Sequence, residues 1–184
     1  VRKLDYSIQI TKLFYERFIK NAEISLFSPN HVPGLYEAFG MPEFDSMYLK
    51  YEKDKSVPRK TIGAQELFMD LLKERAETGR IYIMNLDHCN THSSFKDKIY
   101  MSNLCQEITL PTTPVQHIDD KEGEIALCIL SAINLGLLTD MNELEELCDL
   151  SVRALDEIID YQEYPVEAAK ISAQSRRSLG IGYI

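Results

Sequence analysis

The stretch "GAQELFMDLLKERAETGRIYIMNLD", residues 63–87, decides the fold class. Leu67, Phe68, Leu71, Leu72 and Arg75 recur at helical spacing, and Gly79 stands where a glycine commonly ends a helix. Directly after it, "RIYIMNLD" is β-branched and aromatic, the composition of a buried strand. A helix therefore feeds straight into a strand. Further on, "GEIALCILSAINLG", residues 123–136, reads as a strand apolar on both faces. Such strands separated by helices predict an α/β architecture with largely parallel strands.

The flanking segments fill in this frame. Leu4, Ile8, Leu13, Phe14, Phe18 and Ile19 predict an amphipathic helix of roughly five turns that ends near Asn21. "SLFSPNHVPGLYEAFG" carries two prolines and two glycines, hence turns around short pieces of structure, and "MYLKYEKDKSVPRK" reads as a charged surface loop. "HCNTHSSFKDKIY" and "TTPVQHIDDKEG" read as loops, and "NLCQEITLP" as extended chain. A long acidic helix over about residues 140–161 turns Leu144, Leu147, Leu155, Ile158 and Ile159 inward, and Pro165 opens another helix. There is no internal repeat and no low-complexity segment.

Composition bounds the function classes. The 184 residues are 45% hydrophobic and 27% charged, in the range of ordinary globular proteins. A net charge of −9 argues against a general nucleic-acid binder, whose affinity needs clustered Lys and Arg. No run approaches the roughly 18 apolar residues of a membrane span, and the N-terminus has no signal-peptide pattern, so the chain is expected to be cytoplasmic. Both ends have the character of cuts: a helical pattern is already running by Leu4, and "RRSLGIGYI" has no polar tail. A piece of a larger protein is expected.

Four cysteines, at 89, 105, 128 and 148, form no CxxC pair and no disulfide framework. Two clusters carry chemistry. In "MSNLCQEITLP", residues 101–111, extended backbone would put Asn103, Cys105 and Glu107 on one face, with Leu104, Gln106 and Ile108 on the other. Spacing alone leaves two readings open. Cys105 is either a small buried hydrophobe or a reactive sulfur flanked by a base and an orienting amide. In "DHCNTH", His88, Cys89 and His92 could bind zinc with Cys105 as a fourth ligand, or could be a polar loop whose histidines hydrogen-bond and cap. One C-x2-H without a second paired cluster is weak for zinc. By periodicity Cys128 is core, and Cys148 lies on the acidic helix with no role assigned.

Taken in order, "LDYSIQITKLFYERFIKN", "SLFSPNHVPGLYEAF", "RIYIMNLDHCNTHSSF", "SNLCQEITLPT", "GEIALCILSAINLG", "RALDEIIDYQEYPVEAAK" and "RRSLGIG" resemble the catalytic barrel of the large (alpha) subunit of class I aerobic ribonucleoside-diphosphate reductases. The resemblance runs over nearly the whole chain. It implies that residues 1–184 are a segment of a ten-stranded α/β barrel with a catalytic finger loop, in an oxidoreductase that makes deoxyribonucleoside diphosphates for DNA synthesis.

The resemblance also assigns roles. Cys105 matches the cysteine that becomes a thiyl radical and takes the 3′ hydrogen of the ribose. Glu107 matches the general base for the 3′-hydroxyl proton, and Asn103 the amide that hydrogen-bonds the substrate. Cys128 matches one of two redox cysteines that finish as a disulfide, and its partner has no counterpart in this chain. No cofactor or metal is expected on this segment; the radical would come from a diiron/tyrosyl small (beta) subunit, and ATP or dNTP effectors would bind elsewhere. Expected partners are that small subunit, a second large subunit or the remaining barrel pieces, thioredoxin or glutaredoxin, and a ribonucleoside diphosphate, with neither DNA nor membrane. The competing expectation is a non-enzymatic structural or zinc-binding module. The stretch between "THSSF" and "SNLC" is shorter than in some bacterial members, a departure just before the site loop.

Overall fold

The structure, a computed structural model, describes residues 4–103, 106–127 and 129–184. It forms two compact units that meet at the Leu110–Pro111 bond. Within the first, Tyr6–Ile10 is β1 and Lys12–Ile19 is α1. The five-turn helix expected from Leu4 is thus a strand followed by a two-turn helix. The reason is readable in hindsight: Tyr6, Ile8 and Ile10 alternate with Ser7, Gln9 and Thr11, a period of two that the later helical positions masked. Long-range pairing then selects the strand.

Next come Glu23–Phe27 (β2), Leu35–Ala38 (α2), Phe44–Lys53 (α3), Arg59–Gly63 (β3), Ala64–Thr78 (α4), Ile81–Asn85 (β4) and Leu86–Thr91 (α5). The surface loop expected over "MYLKYEKDKSVPRK" is mostly α3 and β3. Phe44, Met47, Tyr48 and Tyr51 supply the apolar helical face, outweighing the charges on the opposite side. The loop expected over "HCNTHSSFKDKIY" begins inside α5. The helix-to-strand step from α4 to β4 is as expected, with Gly79 at φ 68 donating its N–H to the Arg75 carbonyl at 2.8 Å.

β1 pairs with β4 in parallel, Ser7 opposite Tyr82 and Gln9 opposite Met84, while β2 and β3 are antiparallel. Ile10, Leu13, Phe14, Ile24, Val32, Leu35, Phe44 and Tyr48 form the core beneath them. Phe68 of α4 closes that core, its ring 5.2 Å from Phe18 and 6.1 Å from Phe14 between centroids. Met84, Leu86 and Ile99 make a smaller buried cluster under the chain that leaves α5.

In the second unit, Leu130–Ile133 (β5), Glu143–Tyr161 (α6), Glu167–Arg176 (α7) and Gly180–Tyr183 (β6) follow in order, with β5 and β6 parallel. Ile129, Leu155, Ile159 and Ala173 form the core. The long acidic helix lies where its pattern placed it, except that Ile158 is exposed rather than inward. The strand expected over residues 123–136 is shorter and one-sided. Leu130 and Ala132 are exposed, because β5 has β6 as its neighbour and rests on α6. The architecture is α/β with both parallel and antiparallel pairs, and no sheet closes on itself among the described residues. Among those residues no helix is long and apolar enough to cross a membrane.

Candidate active site

The site loop starts where β4 and α5 fix its upstream limb. Asn90 on α5 uses its whole carboxamide on backbone: Nδ2 donates to the carbonyls of Leu86 and Ile99, both at 3.0 Å, and Oδ1 accepts the N–H of Ile99 at 2.8 Å. A peptide-like pairing of this kind holds a segment as a ladder partner would. Gly40 leaves room for it, since a Cβ there would lie 2.6 Å from Leu86 Cγ and 3.2 Å from Asn90 Nδ2. Gln9 of β1 donates its amide N–H to the Tyr100 carbonyl.

Asn103 and Gln106–Ile108 are joined by turn-type hydrogen bonds, whereas residues 104 and 105, the centre of the expected extended stretch, lie outside the described residues. The N–H of Gln106 donates to the Asn103 carbonyl at 3.2 Å, and the N–H of Ile108 donates to Asn103 Oδ1 at 3.0 Å. The Ser102 hydroxyl, 3.1 Å from Asn103 Oδ1, also donates to the Ile108 carbonyl. Gln106 sits at φ 61, in the left-handed region. The turn bonds at Asn103 have a physical cause. An Asn side chain can satisfy backbone N–H groups locally, and the turn it builds competes with strand geometry. The expected alternation of faces runs through Leu104 and Cys105, outside the described residues; Asn103 and Glu107 lie on either side of them. Cys105 and Cys128 lie outside the described residues.

Asn103 is half-buried and Glu107 exposed. Asn103 Oδ1 is engaged by the Ile108 N–H, which fixes the carboxamide against the loop backbone. A depression of ≈ 310 Å³ opens beside it, lined by Tyr6, Ser7, Gln9, Tyr82, Met101 and Gln106 among others. A second, of ≈ 430 Å³, lies between Asn85, His88, Cys89, His92, Gln106 and Thr109.

The zinc alternative fits this second depression poorly. The His88 and His92 rings meet edge to face with centroids 5.7 Å apart. His92 Nδ1 lies 3.1 Å from the His88 carbonyl, a contact that requires the proton on Nδ1, and the His92 N–H caps the same carbonyl at 2.9 Å. His92 caps the end of the helix, and Cys105, the fourth ligand of the zinc expectation, lies outside the described residues. Burial pushes the Cys89 thiol above its ordinary value and the Asp87 carboxylate pushes it the same way, so without a bound cation Cys89 stays a thiol. Among the described residues no group of three or more His, Cys, Asp or Glu side chains could hold a metal ion.

Ser7, Gln9, Asn90, Ser102 and Gln106 hold the loop, and none was singled out from the sequence. Their signal is faint: polar residues at every second position of a strand, and an Asn one helical turn after Leu86.

Comparison with known proteins accounts for this arrangement. The chain matches the family described as ribonucleotide reductase, barrel domain, over residues 1–184. It is 58% identical over 189 residues to the ribonucleoside-diphosphate reductase subunit alpha of Buchnera aphidicola subsp. Schizaphis graminum, covering 100% of this chain and 25% of that protein. It is 56% identical over 189 residues to the ribonucleoside-diphosphate reductase 1 subunit alpha of Escherichia coli K12, with the same coverage of both. Against the ribonucleoside-diphosphate reductase subunit alpha of Enterobacteria phage T4 it is 42% identical over 190 residues, 99% of this chain and 25% of that protein. The chain spans about a quarter of the length of these relatives. The family match over residues 1–184, with identities of 42–58% to these alpha subunits, places the chain in the ribonucleotide reductase family as a segment of its barrel domain.

Proposed function

We propose that this chain is the central catalytic segment of the large subunit of a class I ribonucleoside-diphosphate reductase, an oxidoreductase that converts ribonucleoside diphosphates to deoxyribonucleoside diphosphates. The observation that carries this reading is end-to-end similarity to alpha subunits at up to 58% identity, with Asn103, Cys105 and Glu107 standing together in one loop sequence.

Cys105, as a thiyl radical, removes the 3′ hydrogen of the ribose and returns it at the end of the cycle. Sulfur suits the task because its S–H bond is close in strength to the ribose C–H bond, so hydrogen passes both ways. Glu107 accepts the 3′-hydroxyl proton, and its exposed position leaves it accessible to a substrate. Asn103 orients the ribose by a hydrogen bond from its carboxamide. The 2′ oxygen leaves as water, and two electrons come from Cys128 and a second thiol elsewhere in the barrel, which finish as a disulfide. Thioredoxin or glutaredoxin supports the re-reduction of that disulfide. A diiron/tyrosyl small subunit supplies the radical, ATP and dNTP effectors bind outside this segment, the large subunit pairs with a second copy, and the enzyme works in the cytoplasm.

Replacing Cys105→Ser in the complete large subunit tests the reading. With the small subunit and a dithiol reductant present, deoxynucleotide formation is abolished while the nucleoside diphosphate still binds. Turnover by the Cys105→Ser enzyme would overturn it. The 184 residues alone, mixed with the small subunit, form no deoxynucleotide, since one redox thiol and the radical path lie elsewhere; steady formation would contradict this.

A further inference from the structure

We propose that Ser7 and Gln9, two residues of one face of β1, are positioning residues that clamp the site loop on both sides of Cys105, with Gln106 as the loop's half of the second clamp. The inference rests on the assignment of Cys105 made above. Alternation along β1 sends Ile8 and Ile10 toward the core and leaves Ser7 and Gln9 on the opposite face. Successive residues of one face lie about 6–7 Å apart along a strand, a spacing that lets Gln9 meet Tyr100 and Ser7 meet Gln106 at once.

Gln9 takes the upstream limb: its Nε2 donates to the carbonyl of Tyr100, five residues before Cys105, and also lies 3.8 Å from Met84 Sδ on β4. Ser7 takes the downstream limb: its hydroxyl accepts from Nε2 of Gln106, the residue directly after Cys105. The Asn90 pairing with Ile99 stiffens the upstream anchor from the other side.

The backbone of Gln106 points to the same constraint. A residue with a Cβ stays at φ 61 only where its surroundings over-determine it, and the Gln106 side chain is tied to β1 while its N–H closes the turn on Asn103. Its Oε1 is buried without a hydrogen-bond partner among the described residues. That arrangement accepts an unsatisfied oxygen in order to keep the amide on Ser7. The serine hydroxyl can donate or accept, so the clamp survives either orientation of the carboxamide. Hydrogen transfer between sulfur and a ribose carbon tolerates little misplacement, and a displacement of about 1 Å costs roughly a hundredfold in rate. Two ties on residues that bracket Cys105 in the sequence are therefore worth most in the chemical step.

The test uses the complete large subunit with its small subunit, a dithiol reductant and cytidine diphosphate, ordinary or deuterated at the 3′ carbon. Ser7→Ala and Gln106→Leu each lower kcat roughly tenfold and leave KM within about twofold. The double variant loses no more than the single ones, because either change removes the same bond. Ser7→Thr, which keeps the hydroxyl, works as the parent does. The 3′-deuterium isotope effect on kcat rises in Ser7→Ala, since loosening the loop slows hydrogen abstraction in particular. Ser7 is exposed, so its loss leaves the core and the thermal midpoint intact.

A Ser7→Ala enzyme within about twofold of the parent would overturn the clamp, as would losses that multiply in the double variant or an isotope effect that stays put while kcat falls. Cys105→Ser, run alongside, separates the two claims. An active Cys105→Ser enzyme sinks the assignment of the site, whereas an inactive one beside a fully active Ser7→Ala sinks the clamp alone.

Discussion

The unit that ends at Leu110 and the unit that begins at Pro111 are held together by different means. In the first, ten buried residues form the main core among the described residues, several of them aromatic, and neutral side chains bonded to backbone (Tyr48 with Ser25, Asn90 with Ile99, Gln9 with Tyr100) do most of the polar fastening beside one part-buried ion pair, Arg17 with Glu52. In the second, four buried residues form the core among the described residues, and charge does much of the fastening. Arg176 pairs with Glu124 at 2.7 Å, Arg177 reaches both Asp156 and Asp160, and Asp120 gathers the N–H groups of Gln116, Glu122 and Gly123. Neutral, short side-chain to backbone bonds fix a loop with little freedom to rearrange. Ion pairs on long side chains hold elements more loosely and are screened by salt. The unit that carries Asn103 and Glu107 is the one built for fixed geometry.

The largest expected effects test whether the two cores are separate. Phe44→Ala in the first unit costs about 3–5 kcal/mol, and Ile159→Ala in the second about 2–5 kcal/mol, both by cavity formation in a closed site. Native-state hydrogen exchange on the complete chain reads where the loss falls. Ile159→Ala speeds exchange in α6, α7, β5 and β6 and leaves β1 and β4 protected; equal loss in both units would erase the contrast. Next in size is Gly40→Ala, at about 1–3 kcal/mol from overpacking. Gly40 lies at φ 78 and its Cβ would press on Leu86, so the first unit also loses the Asn90 support of the site loop. Activity of the complete subunit falls more than the thermal midpoint suggests.

Tyr48→Phe removes a hydroxyl that accepts from Ser25 N at 2.6 Å and donates to Ser25 O at 2.8 Å. Two buried backbone groups are left partly unsatisfied, a cost of about 1–3 kcal/mol measurable by urea denaturation. A change under about 0.5 kcal/mol would mean that water replaces the hydroxyl.

The smallest effect is in pH dependence, and its sign differs between the units. Burial raises Tyr15 and Tyr48 above their ordinary 10.0. Their contribution is whole below that value and is lost as pH rises through the folded pKa, because the unfolded chain ionises first. In the second unit backbone N–H groups lower Asp120, the N–H and side chain of Asn142 lower Asp140, and the Arg177 guanidinium lowers Asp156, all from 3.8. Their contribution is whole above that value and is lost as pH falls through the folded pKa. Carboxylates of the first unit pull against each other: Ser56 lowers Asp54 while burial raises Asp45. Resonances of the second unit therefore lose urea resistance first on acidification, and those of the first unit on going alkaline. The reverse order would show that ion pairs contribute less than the comparison holds.

The amino-acid sequence by itself determined the segments whose pattern is local and long. Ala64–Thr78 with its Gly79 stop, Ile81–Asn85 and the acidic helix Glu143–Tyr161 follow from periodicity and end signals within each segment, and the order of motifs around "SNLCQEITLPT" identified the family. Tertiary structure decided what depends on partners far along the chain. Tyr6–Ile10 is a strand because Ile81–Asn85, some 75 residues later, pairs with it; its neighbouring apolar residues alone fit a helix as well. Residues 44–53 are helical because one apolar face finds the core of Phe14, Ile24 and Leu35. The turn at Asn103, the left-handed Gln106 and the bonds from Ser7 and Gln9 are likewise tertiary. A left-handed glutamine and two hydrogen bonds across more than 90 residues leave no periodic trace, since their free energy comes from contacts that exist only once the chain has closed on itself.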